Sequence, residues 1–294
     1  MLNGAMLVWF IFAAISVVFV VWDSITNAPT SWVQRMAWIL VVVYTGVVGL
    51  ILYLLTCRRP FPGGHDAFTR ATWKQSVNSE MHCLAGDATG IVIAASIVPF
   101  FGLTNGWDAT IEYIAGFICG LFIFQALMML GMYQGNYLKA VRKTFFAETV
   151  SMNMVMGGMI PTMVILATLW PESEDPTNAT FWFRMSLASI VGGFIAYPIN
   201  YWLVKNHLKH GCMTLPGLDG PAPCLGFCSP ETDPDIKNSQ PIPSSTHDSQ
   251  PEHEGHTMTM QTLPFTASSF WVVGTFLFLL FAILVTNQFV PLKF

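Results

Sequence analysis

The sequence predicts an all-α integral membrane protein: a seven-helix transmembrane bundle with its amino terminus in the cytoplasm and a disordered, His- and Cys-containing cytoplasmic loop before the last helix. Three observations predict it. The 294 residues are 53% hydrophobic and only 10% charged, with a mean hydropathy of +0.53, whereas soluble domains carry roughly 25% charged residues. Apolar windows of about 20 residues, enough to cross a ~30 Å hydrocarbon core, recur along the chain. Residues 211–269 break that pattern with Pro, Ser, Gln, His and Gly and keep no apolar period.

The windows fall at residues 5–22, 36–56, 81–103, 109–132, 145–169, 180–204 and 270–290. The first two form an amino-terminal pair within residues 1–56, the next four a core domain within 70–210, and the last a helix within 270–294, beyond the flexible linker 211–269. The first window has the length of a signal peptide but no basic start. Val20-Val21-Trp22-Asp23 is a poor cleavage site, so it reads as an uncleaved helix. Lys and Arg set the orientation. Arg58, Arg59, Arg70, Lys74, Lys139, Arg142, Lys143, Lys205, Lys209 and Lys237 lie after the second, fourth and sixth windows, against Arg35, Arg184 and Lys293 on the other side. That asymmetry puts the amino terminus inside and the carboxyl terminus outside.

Composition excludes several functions. A net charge of −4 with the few charges in loops gives no footing for nucleic acid, and the 10 Trp and 23 Phe suit a lipid bilayer instead. There is no phosphate-binding glycine loop, no Gly-x-Ser-x-Gly and no His-Glu-x-x-His. The six Cys are too scattered for an extracellular disulfide framework.

The fifth window carries a distinctive stripe. At about 100° per residue, Glu148, Met152, Met156, Met159 and Met163 fall within roughly 80° of one another. Thioethers bind soft cations such as Cu(I), and intramembrane carboxylates are functional by default. Methionine is equally a common apolar filler, so the stripe reads either as an ion path or as packing.

A polar layer adds to it. At 1.5 Å per residue, Asp87 lies roughly 9 Å into its window, Glu148 about 5 Å, Asn153 about 12 Å and Asn200 about 6 Å, with His82 and Cys83 at similar depth. Cys83 and Asp87 share a helix face, while His82 points about 100° away. No Lys or Arg lies deep in any window. The carboxylates are therefore expected to hold a cation or a proton, or to hydrogen-bond to Ser151, Asn153 or Asn200. Gly86 and Gly90, and again Gly116 and Gly120, have the spacing that lets helices approach closely. Gly157-Gly158 before Pro161, and Gly192-Gly193 before Pro198, are expected to break the fifth and sixth helices, as in transporters. The linker and its approach hold further metal candidates: His207, His210, Cys212, Cys224, Cys228, His247, His253 and His256.

Four segments resemble one family. They are Met81-His82-Cys83-Leu84-Ala85-Gly86-Asp87, the run Ala147 to Asn153, Pro198-Ile199-Asn200-Tyr201-Trp202-Leu203-Val204, and Leu208-Lys209-His210-Gly211 with Met213-Thr214. Together they are similar to domain of unknown function 4396, a mostly bacterial family of multi-span membrane proteins, over roughly residues 70–215. The resemblance implies a bacterial inner membrane and one functional core made of His82, Cys83, Asp87, Glu148, Ser151, Asn153 and Asn200; it implies no activity.

The expected function is transport or sensing of a soft or transition-metal cation, copper foremost. Its metal candidates are His82, Cys83, Asp87, Glu148 and the four stripe methionines. The alternatives are a membrane assembly protein with a helix-mediated oligomer or membrane partner, and an intramembrane metal-dependent enzyme acting on a lipid or quinone.

Overall fold

The computed structural model describes residues 2–211 and 263–290. Among them all regular structure is helical. The order is α1 (Leu2–Thr26), α2 (Trp32–Thr45), α3 (Val47–Thr56), α4 (His65–Thr69), α5 (Thr72–Ile97) with a 3-10 turn at Val98–Phe101, α6 (Asn105–Ile118), a π-helical stretch Cys119–Gln125, α7 (Ala126–Met129), α8 (Tyr137–Leu169), α9 (Ala179–Lys205) and α10 (Phe265–Phe289). Among the described residues, six helical segments are long and apolar enough to cross a membrane: α1, α5 with its 3-10 turn, α6 through α7, α8, α9 and α10. The chain is thus an integral membrane protein by the length and composition of its helices.

The second apolar window is not one continuous helix. It breaks at Gly46, whose φ of 57° is open to glycine at little cost, into α2 and α3, which are 14 and 10 residues long. The two halves fold back on each other. Trp38 and Tyr53 stack edge-on with ring centroids 5.5 Å apart, whereas in one continuous helix they would stand about 22 Å apart. Gln34 at the start of α2 donates to Cys57 just past α3. Asn78 of α5 clamps both arms, accepting from Trp38 Nε1 at 3.1 Å and donating to the Thr56 carbonyl at 2.9 Å. The tip at Gly46 packs on Trp9 and Ala13 of α1, and Tyr44 reaches Thr89 of α5. This is a hairpin that enters the bundle and leaves on the same side.

Contacts at its two ends fix how α1 runs through the bundle. Trp9 of α1 donates to Ser186 near the start of α9 and packs on Phe183, which in turn packs on Trp170. At the other end of α1, Asp23 accepts from Tyr53 at 2.8 Å and pairs with Arg58 at 3.7 Å. The amino terminus therefore lies at the Trp170 end, opposite the basic residues Arg58, Arg59 and Arg70. Arg35, bonded to the Ala28 carbonyl beside the start of the hairpin, joins the basic end.

Small residues bring the core helices together. A methyl on Gly86 would lie 2.6 Å from the Gly120 Cα, and one on Gly90 would lie 2.7 Å from the Gly116 Cα. The two glycine pairs expected to permit close approach thus meet each other. Gly158 meets Gly192 in the same way, at 2.9 Å from a would-be methyl. These glycines do not interrupt their helices: α8 and α9 run unbroken through Pro161 and Pro198. What was expected to be a break is a tight helix crossing. The last helix opens at Phe265, five residues before its apolar window begins.

Candidate functional site

α5 is buried along most of its length and carries Glu80, Cys83 and Asp87 into the middle of the bundle. Asp87 and Glu148 of α8 are both fully buried, and they face each other across Gly120. An oxygen from each carboxylate, Asp87 Oδ1 and Glu148 Oε1, occupies the space a side chain at Gly120 would need. The two groups lie within direct interaction reach of one another. Yet Asp87 Oδ1, Asp87 Oδ2 and Glu148 Oε1 meet no hydrogen-bond donor among the described residues. Two acceptor groups this close are stable only with a proton or a cation between them.

Cys83 sits beside the pair. Its sulfur donates to Glu148 Oε2 at 2.8 Å, and Gln125 Nε2 and Lys209 Nζ both approach it at 2.7 Å. Lys209 also donates to Asn200 Oδ1 at 2.6 Å, and Asn200 donates to Ser151 at 2.9 Å. The result is one connected polar cluster: Asp87, Glu148, Cys83, Gln125, Lys209, Asn200 and Ser151.

Lys209 overturns the expectation that the polar layer lacks a cation. It lies four residues beyond α9, only 3% exposed, because the helix ends in a turn that sends the chain back inward. His207 adopts a left-handed conformation, φ 56°. Leu208 N–H bonds to the Leu203 carbonyl and His207 N–H to that of Val204, the paired bonds of a Schellman cap. Leu208 packs with Leu203 and Ala147, and Gly211 lies against the Gln75 carbonyl, where a side chain would not fit. Burial pulls the Lys209 ammonium down, while Cys83, Glu148 and Asp87 push it up by more, so its net direction is upward. His210, on the same turn, is lowered by burial, with His207 adding to the effect.

Other expected site residues are placed differently. His82 is buried but points away from Cys83, toward the backbone of Gly211. Asn153 accepts from Tyr113 at 2.7 Å and donates to Thr275 of α10 at 3.1 Å, outside the Asn200–Ser151 pair. Met152, Met156 and Met159 are fully buried and Met163 nearly so, all within the main apolar core. Met152 packs on Gly116 and Met159 on Gly192. No three His, Cys, Asp or Glu side chains gather to hold a metal ion among the described residues. Cys212, Cys224, Cys228, His247, His253 and His256 lie outside the described residues.

The role of three buried groups was not legible, although Lys209 stands in one of the four family-like segments. Lys209 reads as an ordinary loop cation until the cap is known. Gln125 would lie about 140° from Gly120 in an α-helix. The π-helical stretch, with its i→i+5 bonds, brings residues five apart to nearly one face. Glu80, 2% exposed, falls one residue before the apolar window.

No curated protein and no solved structure matches the chain. Residues 72–209 match the family model described as domain of unknown function (DUF4396). That stretch begins with α5 and ends on Lys209, so every member of the polar cluster lies within the part of the chain that is similar to this family.

Proposed function

We propose that this polytopic membrane protein handles a cation, the proton in the first place, at the Asp87–Glu148 pair, and couples it to transport or sensing across the inner membrane of a bacterium. The observation that carries the reading is the pair itself: two fully buried carboxylates converging over Gly120 with three oxygens lacking a donor among the described residues. Such groups in a membrane are costly and are kept for ion or proton relays. Cys83, Gln125 and Lys209 extend the pair toward Asn200 and the basic end of the bundle. Lys209 acts as the built-in counter-ion that a moving proton displaces or restores.

Copper handling would use the same pair, with Cys83 beside it and Met152 one turn along α8. It ranks second because the four methionines lie in the apolar core, Met152 and Met159 against glycines of neighbouring helices, and no three-ligand group of His, Cys, Asp or Glu occurs among the described residues. An assembly role or a metal-dependent enzyme draws no specific support from the cluster.

The test is proton uptake into proteoliposomes under an imposed pH gradient, read by a dye in the lumen. Asp87→Asn and Glu148→Gln each slow uptake about a hundredfold or more, while Met156→Leu and Met159→Leu leave it unchanged. Uptake indifferent to both carboxylate variants overturns the proposal; loss of cation movement in the methionine variants alone favours the thioether path.

A further inference from the structure

Two turns along α5 from the Asp87–Glu148 pair, toward the basic end, stands a third buried carboxylate. Glu80 is only 2% exposed, and its Oε1 oxygen meets no hydrogen-bond donor among the described residues. Glu80 and Asp87 are seven residues apart on one continuous helix. They therefore share a face, about 20° apart in direction and roughly 10 Å apart along the axis. Cys83, whose sulfur donates to Glu148 at 2.8 Å, lies between them on that helix.

Glu80 is packed against α9. A methyl on Gly193 would sit 3.5 Å from Glu80 Oε1 and 3.5 Å from Leu84. Two titratable groups act on Glu80 electrostatically. One is Lys209, which directs its own hydrogen bonds to Cys83 and Asn200 instead. The other is Tyr197, one turn beyond Gly193 on α9 toward the basic end.

A buried acceptor without a donor is uncommon, and an ionisable one inside a membrane is kept chiefly for moving ions or protons. A structural ion pair would hold Glu80 by direct contact with its cation. A proton station instead needs both charge states within reach. The apolar contacts favour the neutral acid, and the nearby ammonium favours the carboxylate. Lys209 also acts on Asp87 and Glu148. It thus opposes the negative charge on whichever carboxyl is ionised, so a proton can change places between the two depths without stranding a charge.

We infer that Glu80 is the station through which a proton passes between the basic end of the bundle and the Asp87–Glu148 pair. The Cys83 thiol, three residues along the same helix and so a near neighbour of Glu80, is the link. It passes its proton to Glu148 and takes the one that Glu80 releases, so one proton leaves Glu80 for each one gained by the pair, and Lys209 keeps its own. The inference deepens the proton reading above and rests on it.

Proton uptake by the full chain in proteoliposomes, measured across a range of external pH, tests this. Glu80→Gln should slow uptake at least about tenfold. Gly193→Ser keeps Glu80 and gives its Oε1 a hydroxyl donor at a position where a methyl makes only ordinary contacts. A hydrogen bond to the charged form favours that form, so more acid is needed to load the station. The pH of half-maximal uptake should fall by about one unit relative to Gly193→Ala, which adds volume alone. That shift decides the matter even if Glu80→Gln does not fold. A folded Glu80→Gln protein as fast as the native one, or equal profiles for Gly193→Ser and Gly193→Ala, overturns the inference while uptake that still needs Asp87 leaves the proton reading standing. A native protein that takes up no protons overturns both.

Discussion

Lys209 is the residue on which the cluster's charge balance turns. It brings an ammonium to Cys83 and Asn200, and removing one partner of a buried charge set leaves the others uncompensated. Lys209→Met should therefore lower stability by about 3–5 kcal/mol, read as a fall in the unfolding midpoint in detergent. The pH dependence has a definite sign. Because the folded-state value of Lys209 is raised, its contribution is complete below the ordinary lysine value of about 10.4 and is lost only as pH rises through the higher folded value. The gap between native protein and Lys209→Met should hold steady across neutral pH and close in strong alkali; a gap that opens with rising pH would contradict the assignment. At this scale the sequence was informative wherever a polar group stood inside an apolar run. Asp87, Glu148 and Cys83 stood out for that reason, and the structure brings them together. Lys209 and Glu80 did not, because each lies just outside an apolar window and enters the bundle only through the geometry of a cap or a longer helix.

Among the elements, the π-helical stretch and the glycine crossings decide whether the carboxylates can meet. Gly120 leaves the space that both side chains fill, and the π winding turns Gln125 to the same side. Gly120→Ala should cost about 1–3 kcal/mol by overpacking and stop proton movement. Gly131→Ala, where nothing lies within 4 Å, should change neither; the check is unfolding and proton uptake on the two variants side by side. A fully active Gly120→Ala protein would mean that the pair does not need this geometry. The small-residue spacing of Gly86, Gly90, Gly116 and Gly120 was legible in the sequence, because close helix contacts require it. The hairpin was not. Val47 to Thr56 is as apolar as any crossing segment, and hydropathy carries no sign for a chain that turns back at Gly46. The Gly-Gly and Pro positions of α8 and α9 misled for the converse reason: residues that can break a helix also let two helices approach.

Across the whole molecule, the hairpin resets the topology. With α1 running from the Trp170 end to the Arg58 end, assigning the basic end to the cytoplasm leads to the expectation that the start of α1 and the end of α10 face outward. A membrane-impermeant maleimide should label Asn3→Cys and Thr177→Cys in intact cells, and Ala71→Cys only after permeabilisation. Asn3→Cys sharing the behaviour of Ala71→Cys would restore the inward amino terminus expected from charge counting. The class of fold was legible because composition and window length suffice for it. The fold-back of the second window was not, since it depends on contacts such as Trp38 with Tyr53 that no local pattern encodes. What the molecule does rests on whether Asp87 and Glu148 hold a proton between them. The most direct measurement is infrared spectroscopy of the reconstituted protein at neutral pH. A protonated-carboxyl band that disappears in both Asp87→Asn and Glu148→Gln is the predicted result; no such band, or one that survives both variants, would contradict the account.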